Sequence, residues 1–333
     1  MIRSYENRTD LRKEIPLNKP IILIVEPTNF CNFQCRFCPT TISEHKNYKH
    51  APKRNMTLDE FKKVIDSAKK GFGRVKMLQI YNFGEPLVNK NICEMIEYAK
   101  DVDIADSLRI YTNGALLTPT LSRKLAEVLG KGRESIIQFS IEHISDDGYK
   151  EVSNVDVSYD NLLTNIAYFY AKANHKNTNV ICKLINDCVT PEDAEKFKTD
   201  FAMLGDSVHV ELLEDKSEKQ VYKYQEEVIT YDGHKTKIKK ICANPFYILS
   251  VQSDLSVKAC TADIFRLHTV GHLNENSLLE IWNGDALFKL RKEHLLGKTD
   301  ELCSYCTYFA QQLDDIDDIA DELFERLEKQ RNG

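Results

Sequence analysis

Three cysteines, Cys31, Cys35 and Cys38, stand in a C-x3-C-x2-C spacing just after the apolar run Ile21 to Val25. A strand over that run would deliver them into one short loop, where three thiolates can converge on a single metal cluster. Three protein ligands leave one iron of a four-iron cluster open, and an open iron is a place where a small molecule binds and reacts. A structural zinc wants four closed ligands, and no neighbouring Cys or His completes that set within the loop. A disulfide role fits less well, because the first residues lack an export signal and the chain reads as cytoplasmic.

A second group, Cys242, Cys260, Cys303 and Cys306, has the spacing C-x17-C-x42-C-x2-C. Four thiols make a closed set that holds an auxiliary cluster by protein ligands alone, although a zinc ribbon could use such spacing too. Of the ten cysteines, three remain. Cys93 falls on a helix and reads as core packing, Cys182 lies inside a strand, and Cys188 lies in the loop after it.

The elements that must position these groups alternate. Predicted strands cover Ile21–Glu26, Val75–Tyr81, Ser107–Tyr111, Ser135–Ile141, Asn179–Ile185 and Val208–Leu213. Helices are expected over Leu58–Lys69, behind the capping box Thr57 to Glu60, and over Ile92–Lys100, Leu121–Leu129 and Asp160–Lys172, with a last one from the cap at Thr190 to Leu204. Strand–helix alternation of this length argues for an α/β fold, a partial (β/α)6 TIM barrel with right-handed crossovers. In parallel barrels the chemistry sits on the loops after the strands. Here the cysteine loop, Gly84-Glu85-Pro86, Thr112-Asn113-Gly114 and Glu142-His143 follow four consecutive strands and share one rim.

On the last strand Val208, Val210 and Leu212 form an apolar face, which leaves His209 and Glu211 pointing into the lumen. With Glu26, Tyr81, Asn82 and His143 they make a polar wall for a hydroxylated or amine-bearing substrate. Residues 1–20 read as a leader packed on the body, too short for a leader-peptide-binding domain. A charged linker is expected over 214–241 with a turn at Tyr231 to His234, then a small cysteine domain over 242–306 with a hairpin from Tyr247 to Cys260 around Ser253-Asp254. The tail, 307–333, carries Leu313, Ile316, Ile319, Leu323 and Leu327 on one face of a helix that covers a core edge.

Taken together, the cysteine loop, with Phe37 before its last cysteine, resembles the signature of the radical S-adenosylmethionine (SAM) enzymes. The resemblance implies that SAM chelates the open iron of a [4Fe-4S] cluster, that Gly84, Glu85 and Pro86 receive the SAM amino group, and that Asn113, Ser140 and Glu142 contact its ribose and carboxylate, with Lys183 neutralising the latter. Phe83 stands where the family often has glycine. Between the later cysteines, Gly271-His272-Leu273, Ser277 to Asn283 and Phe288 to Arg291 resemble the SPASM extension. Four cysteines suffice for its one-cluster twitch form, as in the dehydrogenases of 2-deoxy-scyllo-inosamine, which implies a second [4Fe-4S] cluster on Cys242, Cys260, Cys303 and Cys306.

The activity so implied is hydrogen abstraction from a carbon of a sugar, aminocyclitol or related alcohol, with the auxiliary cluster accepting an electron and Glu211 and His143 as catalytic candidates. A flavodoxin, ferredoxin or other reductase would be the electron donor. If Cys188 returned a hydrogen, the outcome would be an epimer; a peptide substrate is a further reading. A net charge of −6 with scattered basic residues argues against a nucleic-acid partner, and the longest early apolar run is far too short to span a membrane.

Overall fold

The computed structural model describes residues 9–42, 52–185, 188–211, 227–229, 235–237, 239–264, 266–298, 303, 306 and 314–332. Six parallel strands follow in sequence order: β1 Ile22–Val25, β2 Val75–Ile80, β3 Ala105–Thr112, β4 Glu134–Ile141, β5 Thr178–Ile185 and β6 Ser207–Glu211. Their crossover helices are α3 Leu58–Phe72, α4 Ile92–Asp101, α5 Pro119–Leu129, α6 Asp146–Ser153 with α7 Tyr159–Lys172, and α8 Pro191–Phe201; single turns α1 Leu11–Glu14 and α2 Pro39–Ile42 lie earlier. The α3 boundary follows from local chemistry. Thr57 and Glu60 close the expected capping box, and Gly73 at φ 71° stops the helix. One face of every strand packs on these helices: Leu78, Ile80, Ile110, Ile137, Phe139, Cys182 and Leu184 are buried in one core with Phe61, Val64, Leu125 and Phe169. The alternate residues face the lumen.

Two features depart from the expected layout. The stretch between β4 and α7 contains α6, which begins on a Ser145 cap and ends on Asn154 in the left-handed region. The sheet also does not end at β1. The cysteine-region hairpin, β9 Ile248–Val251 and β10 Ser256–Lys258, is present around the expected turn, but β9 pairs in parallel with β1, Ile22 opposite Ile248 and Val25 opposite Val251. With β11 Thr269–His272 on β10, the sheet has nine strands in the order β11-β10-β9-β1-β2-β3-β4-β5-β6. In the expected linker, β7 Glu227–Ile229 and β8 Lys235–Lys237 form a small hairpin of their own. The turn Tyr231 to His234, together with Leu212 and Leu313, lies outside the described residues.

Helices α9 Asn244–Tyr247, α10 Leu278–Trp282, α11 Asp285–Leu295 and α12 Ala320–Asn332 complete the C-terminal part. Ile316, Leu323 and Leu327 bury against Leu11, Ile15, Ile241, Phe246 and Leu295, so the tail and the N-terminal segment seal one edge together. Arg12 is paired with Asp318 across that seam. No described helix is long and apolar enough to cross a membrane.

Candidate active site

The cysteine loop leaves the C-terminal end of β1 and is held from two sides. Main-chain N–H groups of Gln34 and Arg36 donate to Ser153 O and Val152 O at the end of α6, each at 2.9 Å. On the other side Glu85 N donates to Phe30 O at 2.8 Å. Gly84 is needed here for a backbone reason: a Cβ would stand 2.1 Å from Thr28 O and 2.7 Å from Phe30 O. Cys35 is buried and Cys38 half-buried, while Cys31 is the most open. Burial pushes the Cys31 thiol up to about 11 and Cys35 higher still, and the proximity of Cys38 adds to both. Such a set favours a cation that converts repulsion into ligation. Among the described residues no three His, Cys, Asp or Glu side chains close on a single-ion centre.

Glu85 ties the rim together. Its buried carboxylate accepts from Leu87 N at 2.9 Å, Thr112 Oγ1 at 2.7 Å and Asn113 N at 2.8 Å. Burial nevertheless dominates and raises its pKa to about 7. Asn113 Nδ2 in turn donates to Asn32 Oδ1 at 2.9 Å, which joins the Thr-Asn-Gly turn to the cysteine loop. Glu142 is buried, and its Oε2 has no hydrogen-bond partner. Its pKa is raised to about 7 by burial, opposed by Lys183 and reinforced by Glu85. An orphaned acceptor at the rim, beside the cysteine loop, fits a ligand that brings hydroxyl or ammonium donors.

Below the rim the lumen is polar. Lys183 Nζ lies 3.4 Å from Glu211, and His209 stands opposite Lys183 in the β5–β6 register. His209 is depressed by burial. Both inward expectations for β6 are met, and Cys182, one residue out of phase with Lys183, is fully buried on the helix side. Across the lumen, Tyr81 and Tyr111 pack with ring centroids 4.2 Å apart, and Arg109 lies over Tyr111.

Four of the expected wall or loop residues make specific contacts. Glu26 accepts from Ser253 N and Oγ, each at 3.0 Å, and Asn82 Nδ2 donates to Gln252 at 2.9 Å, so both bind the barrel to the β9–β10 turn. The His143 ring packs on Gly148 of α6 and shares a hydrogen bond with Ser145 Oγ at 3.1 Å. Cys188 lies in hydrogen-bonding reach of Arg36, within the cysteine loop. Sequence reasoning missed Arg109, Tyr111, Gln138 and Gln252. The signal for the first two was the alternation Leu108-Arg109-Ile110-Tyr111 on β3, which places polar groups opposite the helices.

The second thiol group gathers at the other end of β1. Burial raises Cys242 and Cys260, with Cys306 close enough to add to both, while Cys303 Sγ lies 3.5 Å from His268 Nε2. Because β10 runs antiparallel to β9, Cys260 is carried back toward Ile22, whereas the first three cysteines leave beyond Val25. A strand rise of about 3.3 Å per residue therefore separates Cys260 from the exit of the first cysteine loop along β1.

The sequence matches the radical SAM superfamily over residues 25–197 and the SPASM iron–sulfur cluster-binding domain over 242–307. Curated relatives match over shorter stretches. A cofactor-modifying protein for tungsten-containing aldehyde ferredoxin oxidoreductase from Pyrococcus furiosus is 34% identical over 32% of this chain and 27% of its own length. A probable GTP 3',8-cyclase from Methanocaldococcus jannaschii is 34% identical over 39% of each chain. The aligned stretch thus spans well under half the length of these relatives. Among solved structures, BtrN in complex with AdoMet and 2-DOIA superposes with a TM-score of 0.56 at 17% identity, covering 89% of this chain and 96% of that one. SuiB from Streptococcus suis, bound to its precursor peptide SuiA, gives 0.63 at 15% identity, covering 90% and 72%. With the family matched across more than half its length, a three-cysteine loop on the first barrel strand and an iron–sulfur domain behind it, this chain belongs to the radical SAM superfamily and uses SAM, a [4Fe-4S] cluster and an auxiliary cluster.

Proposed function

We propose that the protein oxidises an alcohol carbon of a polar small molecule, a sugar, aminocyclitol or related compound. One observation supports the reading: the first thiol loop leaves β1 beyond Val25, Cys260 is carried back toward Ile22, and Lys183, His209 and Glu211 form a polar, part-buried group on the same sheet, so a substrate held there can lose a hydrogen atom toward one group and an electron toward the other. When bound, the cofactors supply a 5'-deoxyadenosyl radical that takes the hydrogen atom and an auxiliary cluster that takes the electron. In this reading Cys31, Cys35 and Cys38 hold the first cluster and Cys242, Cys260, Cys303 and Cys306 the second. Phe37, Gly84, Glu85, Pro86, Asn113, Ser140, Glu142 and Lys183 hold SAM, supported by the Glu85–Asn113–Asn32 connection and the orphaned Glu142 oxygen. The hydroxyl proton goes to His209, whose depressed pKa leaves a neutral imidazole, with Glu211 beside it. The carbon then closes to a carbonyl.

The test is anaerobic turnover of a polyol and aminocyclitol panel with reconstituted protein, a flavodoxin reductant and deuterated solvent. Dehydrogenation gives 5'-deoxyadenosine and a product lighter by two hydrogens, with no solvent deuterium on carbon, and Cys188→Ala retains it. Epimerisation would instead place one solvent deuterium in the product and stop in Cys188→Ala while SAM cleavage continued. The position of Cys188 against Arg36 favours the first outcome.

A further inference from the structure

Arg109 lies on β3, two residues before Tyr111 and on the same face of the strand. Its Nη2 donates to Gln138 Oε1 at 2.5 Å, its Cζ lies 4.7 Å from the Tyr111 ring centroid, and its Nε–H is buried without any hydrogen-bond partner. Other arginines in this protein show the alternatives. Arg54, Arg133 and Arg266 each meet a carboxylate, and Arg291, buried against Trp282 with its Nη2 likewise unpartnered, donates to two main-chain carbonyls, of Pro245 and Trp282. Among the described residues Arg109 meets no carboxylate, and Glu211 on β6 is paired with Lys183. Lys183 on β5 stands opposite His209 in the β5–β6 register, and Arg109 lies on β3 of the same sheet.

A guanidinium held by a tyrosine face and one neutral amide, with a buried N–H left over, has donor capacity to spare. Its planar fork is shaped for a two-oxygen anion, and stacking on Tyr111 fixes the plane in advance. We infer that Arg109 is the anchor for an anionic group of the substrate, a carboxylate or phosphate carried by the polar molecule whose carbon is attacked. The inference rests on the lumen being the substrate chamber. It narrows the substrate class from neutral polyols to sugar acids, sugar phosphates and similar anions. Tyr81, packed on Tyr111, would then flank the carbon skeleton beside the anchored group.

The test is equilibrium binding to the reconstituted, SAM-loaded protein, followed by ligand NMR, of glucose, glucuronate and glucose 6-phosphate. At least one charged sugar should bind about tenfold or more tighter than glucose, the loss expected when a charge-assisted pair is absent. Arg109→Gln should erase that preference, and Arg109→Lys, which keeps the charge but not the fork, should retain part of it. The carboxylate and phosphate arms identify which anion is taken. Thermal melting and iron content of both variants separate loss of binding from loss of fold. Equal binding of charged and neutral sugars, no saturable binding of any, or a preference unchanged in a folded Arg109→Gln would overturn the assignment. Binding needs no radical chemistry, so a failure of the oxidation reading shows separately, as absent 5'-deoxyadenosine.

Discussion

At the scale of single residues the rim is organised by desolvation. Glu142 illustrates it: a carboxylate with an ordinary pKa of 4.5 is raised to about 7, chiefly by burial. The native state therefore keeps this proton to higher pH than the unfolded chain does. Stability falls as pH rises from about 4.5 through about 7 and is level above, with a cost on the order of 3 kcal/mol once both forms are ionised. Glu142→Gln should accordingly melt higher than the parent at pH 8, in the absence of SAM and clusters, and lose that advantage by pH 5. A melting-temperature difference independent of pH would contradict this. Gly84 is governed by space instead. Gly84→Ala drives a methyl into the Thr28 and Phe30 carbonyls, so we expect a loss of a few kcal/mol and a displaced cysteine loop. Iron analysis after reconstitution should show the first cluster missing while the second persists.

At the scale of elements, α6 is the support the cysteine loop depends on. Its last two carbonyls are spent on Gln34 and Arg36, so the loop inherits whatever order α6 has. Ser145 starts that helix by accepting from Gly148 N at 3.2 Å. Ser145→Ala should cost about 1 kcal/mol of stability, as for other lost N-caps, and should speed loss of the first cluster to a chelator. Unchanged cluster lifetime in a variant with a lowered melting temperature would separate the helix from the loop. The α6 signal was present in sequence, a Ser-Asp-Asp start and an Asn154 end, but eight residues with a mid-helix glycine are too short for periodicity to stand out. The longer helices, α3 and α8, were legible because each has a capping box and an apolar face.

At the scale of the whole molecule the two thiol groups are linked by one sheet. Alanine at Cys31, Cys35 and Cys38 together should leave about half the iron, held by the second group, and abolish SAM cleavage. Full iron content, or retained cleavage, would refute the three-plus-four division. Coupling between the halves runs through Glu26, which is buried and bound by Ser253. Glu26→Ala leaves the Ser253 N–H and hydroxyl unpaired at that seam, at a cost of a few kcal/mol. The expected sign is a lower melting temperature with both clusters still loaded, read by visible absorbance across the melt.

What the sequence determined by itself was whatever rests on local spacing. Cysteines three and four residues apart must share a loop, a capping box must start a helix, and alternation on β6 must send His209 and Glu211 to the same face as each other. Rim motifs at the ends of successive strands were legible for the same reason, because a parallel barrel converts chain order into angular order. Tertiary structure alone decided contacts between groups far apart in the chain. Nothing in the sequence near Ile248 states that β9 will pair with β1, since any apolar strand satisfies a parallel edge. That pairing turned Glu26 and Asn82 from lumen groups into ties for a turn more than a hundred residues away. It also set the second thiol group at the opposite end of β1 from the first. The orphaned N–H of Arg109 is of the same kind, because whether a charge is paired depends on what the fold brings to it, and that is settled only when the barrel closes around it.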